Sequence, residues 1–200
     1  MIEEAGSAGG ARRAILESTR VLIERMGSAE VGLGAIADHA GYSRQTVYRH
    51  FGTRAGVLQA ALADIDERAG AQAAVERILE AADGAGAVDA LVGWWTDYVA
   101  GFIGIARSVL AGRRSDPELA AAWDDRMNQL LDVCRKVVHR CEADGLLSDG
   151  LDSAVAAEML WAVLSVPLWD QLITDRGWTL AQYRQRITFM ANAILVDRRT

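Results

Sequence analysis

The sequence predicts an all-α protein, and three observations support that class. There are only two prolines in 200 residues. Apolar residues recur three and four positions apart along most of the chain, which is the spacing of an amphipathic helix. No segment shows the apolar–polar alternation, bounded by turn residues, that is typical of a strand. With 51% apolar residues the chain can bury a core. We expect about nine helices.

The N-terminal part is expected to begin with a flexible tail over residues 1–10, which are acidic, rich in glycine and without an apolar run. A first helix follows over about residues 11–26 and ends at Gly27. Its apolar residues repeat at helical spacing, namely Ile15, Thr19, Leu22, Ile23 and Met26.

Residues 31–62 predict two short helices around a glycine turn, followed by the start of a third helix. Gly41 can adopt the positive φ that lets a chain leave a helix sharply. Ser43 is a good N-cap for the second short helix, because its hydroxyl accepts from backbone N–H groups of the first turn. Val47 and Phe51 lie four apart and would pack that helix on its neighbour.

The outward side of the second short helix, at residues 44–50, is polar and contains no acid. Its exposed positions are Arg44, Gln45, Thr46, Tyr48, Arg49 and His50. Such groups can bond base edges and phosphates in the major groove of DNA. Thr53 is predicted to cap the next helix, and Arg54 lies in its first turn. A helix N-terminus next to a cation favours a phosphate.

The series I-A-x-x-A-G-x-S-x-x-T-x-Y-x-x-F-x-[ST]-[KR]-x-x-[LV]-L runs from Ile36 to Leu58. It closely resembles the DNA-binding domain of the TetR family of transcriptional regulators, and the resemblance extends over residues 11 to about 62. Three positions depart from the family pattern, namely Gly32, Tyr42 and Gly56. Gly32 replaces a residue that often caps the first short helix with a hydroxyl.

The resemblance implies a helix-turn-helix DNA-binding domain at residues 11–58 and a helical ligand-binding and dimerisation domain at residues 59–200. The predicted helix at 152–174 is apolar on nearly all faces, so one side needs a partner chain. Together with the helix at 180–196 it resembles the family's dimerisation surface. A twofold dimer would read a pseudo-palindrome.

All six tryptophans lie after residue 59. Two interpretations stay open: the tryptophans fill the core and the dimer interface, or they line a cavity, as the resemblance implies. The candidate lining residues are Trp94, Tyr98, Phe102, Trp123, Met127 and Trp161. They include no cluster of charges, so the expected effector is small and apolar or aromatic.

The charge is distributed unevenly along the chain. Residues 1–60 carry seven Arg and Lys against six Asp and Glu, a net charge of +1. Residues 61–200 carry fourteen against twenty-one, a net charge of −7. This difference agrees with an N-terminal domain that faces DNA and a more acidic remainder of the chain that does not.

Catalytic and metal-binding patterns are missing from the sequence, so we expect no enzyme activity, metal or cofactor. His39, His50 and His139 are not spaced as metal ligands are. Cys134 and Cys141 would lie roughly 10 Å apart on one helix, too far for a disulfide. With no signal peptide or apolar span, the expected location is cytoplasmic.

The predicted function is that of a ligand-responsive transcriptional regulator that binds double-stranded DNA as a homodimer. Repression of a pseudo-palindromic operator, and release by the effector, follow from the family resemblance. The alternative is a ligand-binding or protein-interaction module without sequence-specific DNA binding. The polar, acid-free side of the helix at residues 44–50 argues against that alternative.

Overall fold

The structure is a computed structural model that describes residues 2–26 and 31–196. These ranges are almost entirely helical, which confirms the predicted all-α class; their β pairing is one isolated bridge between Leu147 and Val196. The helices are α1 (Ile2–Met26), α2 (Leu33–Ala40), α3 (Arg44–Phe51), α4 (Arg54–Arg68), α5 (Ala71–Leu79), α6 (Gly84–Ala100), α7 (Ile103–Gly112), α8 (Pro117–Ala143), α9 (Ser153–Val163), α10 (Val166–Asp170) and α11 (Leu180–Leu195), with a π-helical turn at Gln171–Asp175.

The chain folds into two units. The first unit comprises Met1–Arg68 and Phe102–Asp124, and the second comprises Ala69–Gly101 and Asp125–Thr200. Helices α1 to α4, α7 and the first turns of α8 belong to the first unit. Helices α5, α6, α9, α10, α11 and the rest of α8 belong to the second.

Helix α1 begins at Ile2, nine residues before the predicted start at Ala11. The residues predicted as a flexible tail are therefore helical in the structure from Ile2 onward. The end predicted for this helix, Gly27, lies outside the described residues.

The core of the first unit holds the helix-turn-helix in place. Ile15 of α1, Ile36 of α2, Val47 of α3 and Leu58 of α4 are each no more than 2% exposed. Apolar residues from four successive helices thus meet in one cluster. Since α2 and α3 have only eight residues each, this packing rather than intrinsic propensity keeps them helical.

Two predicted helices are interrupted, the one expected to start near residue 54 and the one at 152–174. The first ends at Arg68 as α4, and Gly70, with a left-handed φ of 57°, separates it from α5. The stretch at 152–174 breaks at Leu164, and Ser165 caps α10 through the backbone N–H of Leu168. Pro167 then lies in the first turn of α10, where its missing N–H costs no helical hydrogen bond.

The second unit is built on the packing of α6 against α11. Trp95 and Val99 of α6, and Tyr183 and Ile187 of α11, are at most 2% exposed. The start of α6 also lies close to α8, since a Cβ at Gly84 would be 2.6 Å from the Cα atom of Cys141. In the described part of the chain, no helix is both long enough and apolar enough to cross a membrane.

Candidate nucleic-acid interface and ligand site

The turn between α2 and α3 has the geometry that the sequence predicts. Gly41 ends α2 with a φ of 74°. The hydroxyl of Ser43 accepts a hydrogen bond from the backbone N–H of Thr46 at 3.1 Å, so Ser43 caps α3. Gly32, at the start of α2, supplies no side-chain cap. Local hydrogen bonds therefore fix where α3 begins.

Burial of Val47 fixes the orientation of α3. Because Val47 is fully buried, the opposite side of the helix is turned outward. The exposed polar side chains at the helix and its N-cap are Ser43, Arg44, Gln45, Tyr48 and Arg49, which we call the reading surface. Tyr48 is 64% exposed. Thr46 is half-buried, and its hydroxyl lies 2.9 Å from that of Ser43.

The C-terminal end of α3 is turned partly toward the protein. His50 is half-buried, and its Nε2 atom is buried without a hydrogen-bond partner among the described residues. Its ring lies 6.0 Å from that of Phe51, measured between centroids. The guanidinium of Arg12 in α1 lies 5.8 Å from the centroid of Phe51, which adds a cation beside this end of α3.

Thr53 and Arg54, at the start of α4, have different environments. The hydroxyl of Thr53 accepts from the backbone N–H of Gly56 at 3.0 Å, which is the predicted N-cap. It also donates to a carboxylate oxygen of Glu118 in α8 at 3.0 Å. Arg54 is half-buried, and its Nε donates to the carbonyl of Val31 at 3.1 Å. The structure thus places Thr53 at the surface and directs Arg54 inward.

Four of the six candidate ligand-site residues belong to the second unit and form two pairs. Trp94 and Tyr98 stack with ring centroids 4.5 Å apart and ring planes 17° apart. The indole N–H of Trp161 donates to the backbone carbonyl of Met127 at 3.0 Å. Trp94, Met127 and Trp161 are half-buried, so part of each side chain is accessible.

Arg126 is a polar contributor that the sequence analysis did not identify. Its Nη2 donates to the hydroxyl of Tyr98, and its guanidinium lies 5.7 Å from the Tyr98 ring centroid. The stacked aromatic pair therefore carries a cation on one side. Arg126 precedes the candidate Met127 in the sequence, which could have suggested a role for it in the ligand site. Its contact with Tyr98, however, joins residues 28 positions apart.

Phe102 and Trp123, the other two candidates, belong to the first unit. Both are buried, at 2% and 3% exposure. Within the first unit these two side chains contribute to the core, which is the commoner role for buried aromatic residues.

Helices α9 and α11 expose large apolar side chains. The exposed ones are Val155, Met159, Leu180, Phe189 and Met190. Phe189 is 66% exposed. These residues fall in the two stretches, 152–174 and 180–196, whose sequence patterns predict a dimerisation surface.

Comparison with known proteins identifies the N-terminal domain. Residues 15–61, which contain α2, α3, about the second half of α1 and about the first half of α4, match the family described as bacterial regulatory proteins, tetR family. This domain belongs to the TetR family. Among curated protein sequences, none matches the chain.

Solved structures extend the TetR-type fold to nearly the whole chain. A Saccharomonospora viridis protein in complex with choline is 23% identical with a TM-score of 0.79, and the match covers 94% of this chain and 98% of that one. FadR from Bacillus subtilis, in complex with stearoyl-CoA, is 18% identical with a TM-score of 0.74, covering 91% and 98%. SmeT of Stenotrophomonas maltophilia, in complex with triclosan, is 22% identical with a TM-score of 0.70, covering 94% and 93%.

A depression of about 560 Å³ opens in the first unit of this TetR-type fold, lined by Leu110, Ala111, Arg113 and Arg114. Arg113 is engaged by Asp124, with 2.9 Å between Nη2 and Oδ1. None of the lining residues is a candidate from the sequence analysis. The depression is flanked by arginines, unlike the aromatic cavity that the family resemblance implies.

The two cysteines are buried thiols on α8. Burial raises the pKa of Cys134 to about 12. Burial, together with the nearby carboxylates of Asp144 and Asp83, raises the pKa of Cys141 to about 11. At neutral pH both are therefore protonated and poor nucleophiles. Across residues 2–26 and 31–196, no group of three or more His, Cys, Asp or Glu side chains is arranged to hold a metal ion.

Proposed function

We propose that this protein is a ligand-responsive transcriptional regulator that reads double-stranded DNA through the reading surface of α3. The observation that carries the proposal is the composition of that surface: two arginines, an amide and two hydroxyls are exposed together without an acid. These are the groups that bond base edges and phosphates. Thr46, His50, Thr53 and Arg54 complete the proposed contact set around it.

The division of the chain follows from this proposal. Residues 11–58 are the DNA-binding domain, and residues 59–200 bind the effector and form the dimer. The exposed apolar residues of α9 and α11 are the proposed dimer contacts, since isolated chains rarely leave several large apolar side chains exposed close together in sequence. A twofold dimer presents two copies of α3 and therefore reads a pseudo-palindrome.

The proposed effector is a small molecule with an apolar or aromatic body. Trp94, Met127 and Trp161 support this, because they offer aromatic and thioether surface that is partly accessible in the second unit, where buried Tyr98 stacks on Trp94. Phe102 and Trp123 remain proposed lining residues from the sequence. Solved structures with this fold hold choline, triclosan and stearoyl-CoA, so the fold accommodates organic ligands of very different chemistry.

The proposed outcome of effector binding is release of DNA, so the protein acts as a repressor in the cytoplasm. The effector can have this effect only if it binds one conformation of the dimer more tightly than the other. We assign the chain no catalytic role.

The test is a selection of bound fragments from genomic DNA by the purified protein at two salt concentrations. A specific dimeric regulator enriches a pseudo-palindrome at both, with weaker total binding at higher salt. Retention of DNA without any motif contradicts the proposal and favours a ligand-binding or protein-interaction module. So does no retention by protein that mass spectrometry shows to be free of bound ligand.

A further inference from the structure

The first turn of α4 is occupied by a carboxylate from the same chain. The Thr53 hydroxyl has one proton, and it donates that proton to Glu118 at 3.0 Å. The same oxygen accepts from the backbone N–H of Gly56. A helix N-terminus carries a partial positive charge and attracts anions, so Glu118 lies where the proposed DNA contact needs a phosphate.

The position of Glu118 is set by backbone contacts as well as by its carboxylate. The side-chain amide of Gln59 in α4 donates to the backbone carbonyl of Glu118 at 3.1 Å. Asp116 accepts from the backbone N–H of Glu118 at 3.0 Å and from that of Leu119 at 3.3 Å, which caps α8. Leu119 is 1% exposed and anchors this turn. The first turn of α8 is therefore bonded to the first two turns of α4.

We propose that Glu118 is a built-in competitor for a DNA phosphate at the start of α4. This inference rests on the proposed DNA binding. The single Thr53 proton serves either the carboxylate or a phosphate, and two anions cannot share this helix terminus without repulsion. DNA binding therefore requires the Glu118 side chain to leave Thr53.

The test compares Glu118→Gln with the wild type in binding to the selected operator and to unrelated DNA. Glutamine keeps the size of the side chain and removes its charge. We expect the variant dimer to bind both DNAs roughly five- to twentyfold more tightly at low salt, because two charges are removed. The gain should shrink as salt rises.

Asp132→Asn is the matched control, because Asp132 is an exposed acid on the same helix that pairs with Arg135 at 2.7 Å. It removes the same charge 14 positions further along α8, roughly 21 Å along the helix axis, and should leave DNA affinity within about twofold. The inference is wrong if both variants gain DNA affinity equally, or if a normally folded Glu118→Gln protein binds DNA no more tightly than the wild type. Either result leaves the proposed function intact. If the wild type binds no DNA, the proposed function fails first and the inference fails with it.

Discussion

Asp144 shows how one side chain ties two helices of the second unit together. Its carboxylate accepts from the backbone N–H of Gly84, at the start of α6, and from Arg140 in α8, each at 2.8 Å. The hydrogen bond from Arg140 is the largest cause that lowers the pKa of Asp144 below its ordinary 3.8. The ionised carboxylate is therefore favoured in the folded state.

This contact predicts a pH-dependent effect of Asp144→Asn. A carboxyl whose pKa is lowered by folding stabilises the protein above its ordinary pKa, and the contribution is lost as the pH falls through the folded-state value. We expect the variant to melt at a lower temperature than the wild type at pH 7, with the difference shrinking below pH 3.8. Thermal unfolding followed by circular dichroism measures the melting temperatures of the two proteins at each pH.

Asp149→Asn is the control for this comparison, since Asp149 is an exposed aspartate in the loop that follows α8. It should melt like the wild type at both pH values. A difference between Asp144→Asn and the wild type that stays constant down to pH 2 would show that charge at Asp144 is not what stabilises the fold.

At the scale of helices, the parts that the sequence predicts well are those defined by local hydrogen bonds. The start of α3 follows from Ser43 and the end of α2 from Gly41, because a cap and a positive φ each depend on a few neighbouring residues. The acid-free surface of α3 follows from helical periodicity and the burial of Val47. These features need no knowledge of the rest of the chain.

The parts that the sequence did not predict depend on contacts between distant residues. Glu118 meets Thr53 across 65 positions, and Arg126 meets Tyr98 across 28. Neither pairing leaves a periodic or local signal. The hydrogen bond from Arg54 to the carbonyl of Val31 joins residues 23 positions apart and also leaves no local signal. The break of the 152–174 stretch at Leu164 was likewise outside the reach of periodicity.

The cap of α3 carries a prediction of its own. Ser43→Ala removes the acceptor for the Thr46 N–H and should cost about 1 kcal/mol of folding free energy. Because α3 is short, we expect weaker DNA binding with an unchanged preferred sequence. Ser43→Thr keeps the hydroxyl and should retain most of the folding free energy and most of the DNA affinity. Denaturant unfolding measures the first and DNA titration the second. A changed sequence preference in Ser43→Ala would instead make Ser43 a base-reading residue.

Reading a pseudo-palindrome requires two copies of the whole chain. Phe189 is the most exposed of the large apolar residues on α9 and α11. Phe189→Asp places a charge where we propose a buried contact, so it should convert the dimer to a folded monomer. Light scattering at micromolar concentration measures the mass, and circular dichroism checks the fold.

Loss of the dimer should also abolish high-affinity operator binding, because a single copy of α3 reads only half of a pseudo-palindrome. A wild-type protein that is monomeric at micromolar concentration would contradict the proposed dimer. So would a monomeric Phe189→Asp variant that binds the full site as tightly as the wild type.

We propose that the reading surface of α3 determines which DNA sequence is bound. The fragment selection, repeated with Gln45→Ala and with Arg49→Ala beside the wild type, tests this. We predict that each variant recovers a motif changed at particular base pairs, since each loses a side chain that bonds base edges. If both variants recover the wild-type motif, then α3 is not the reading helix.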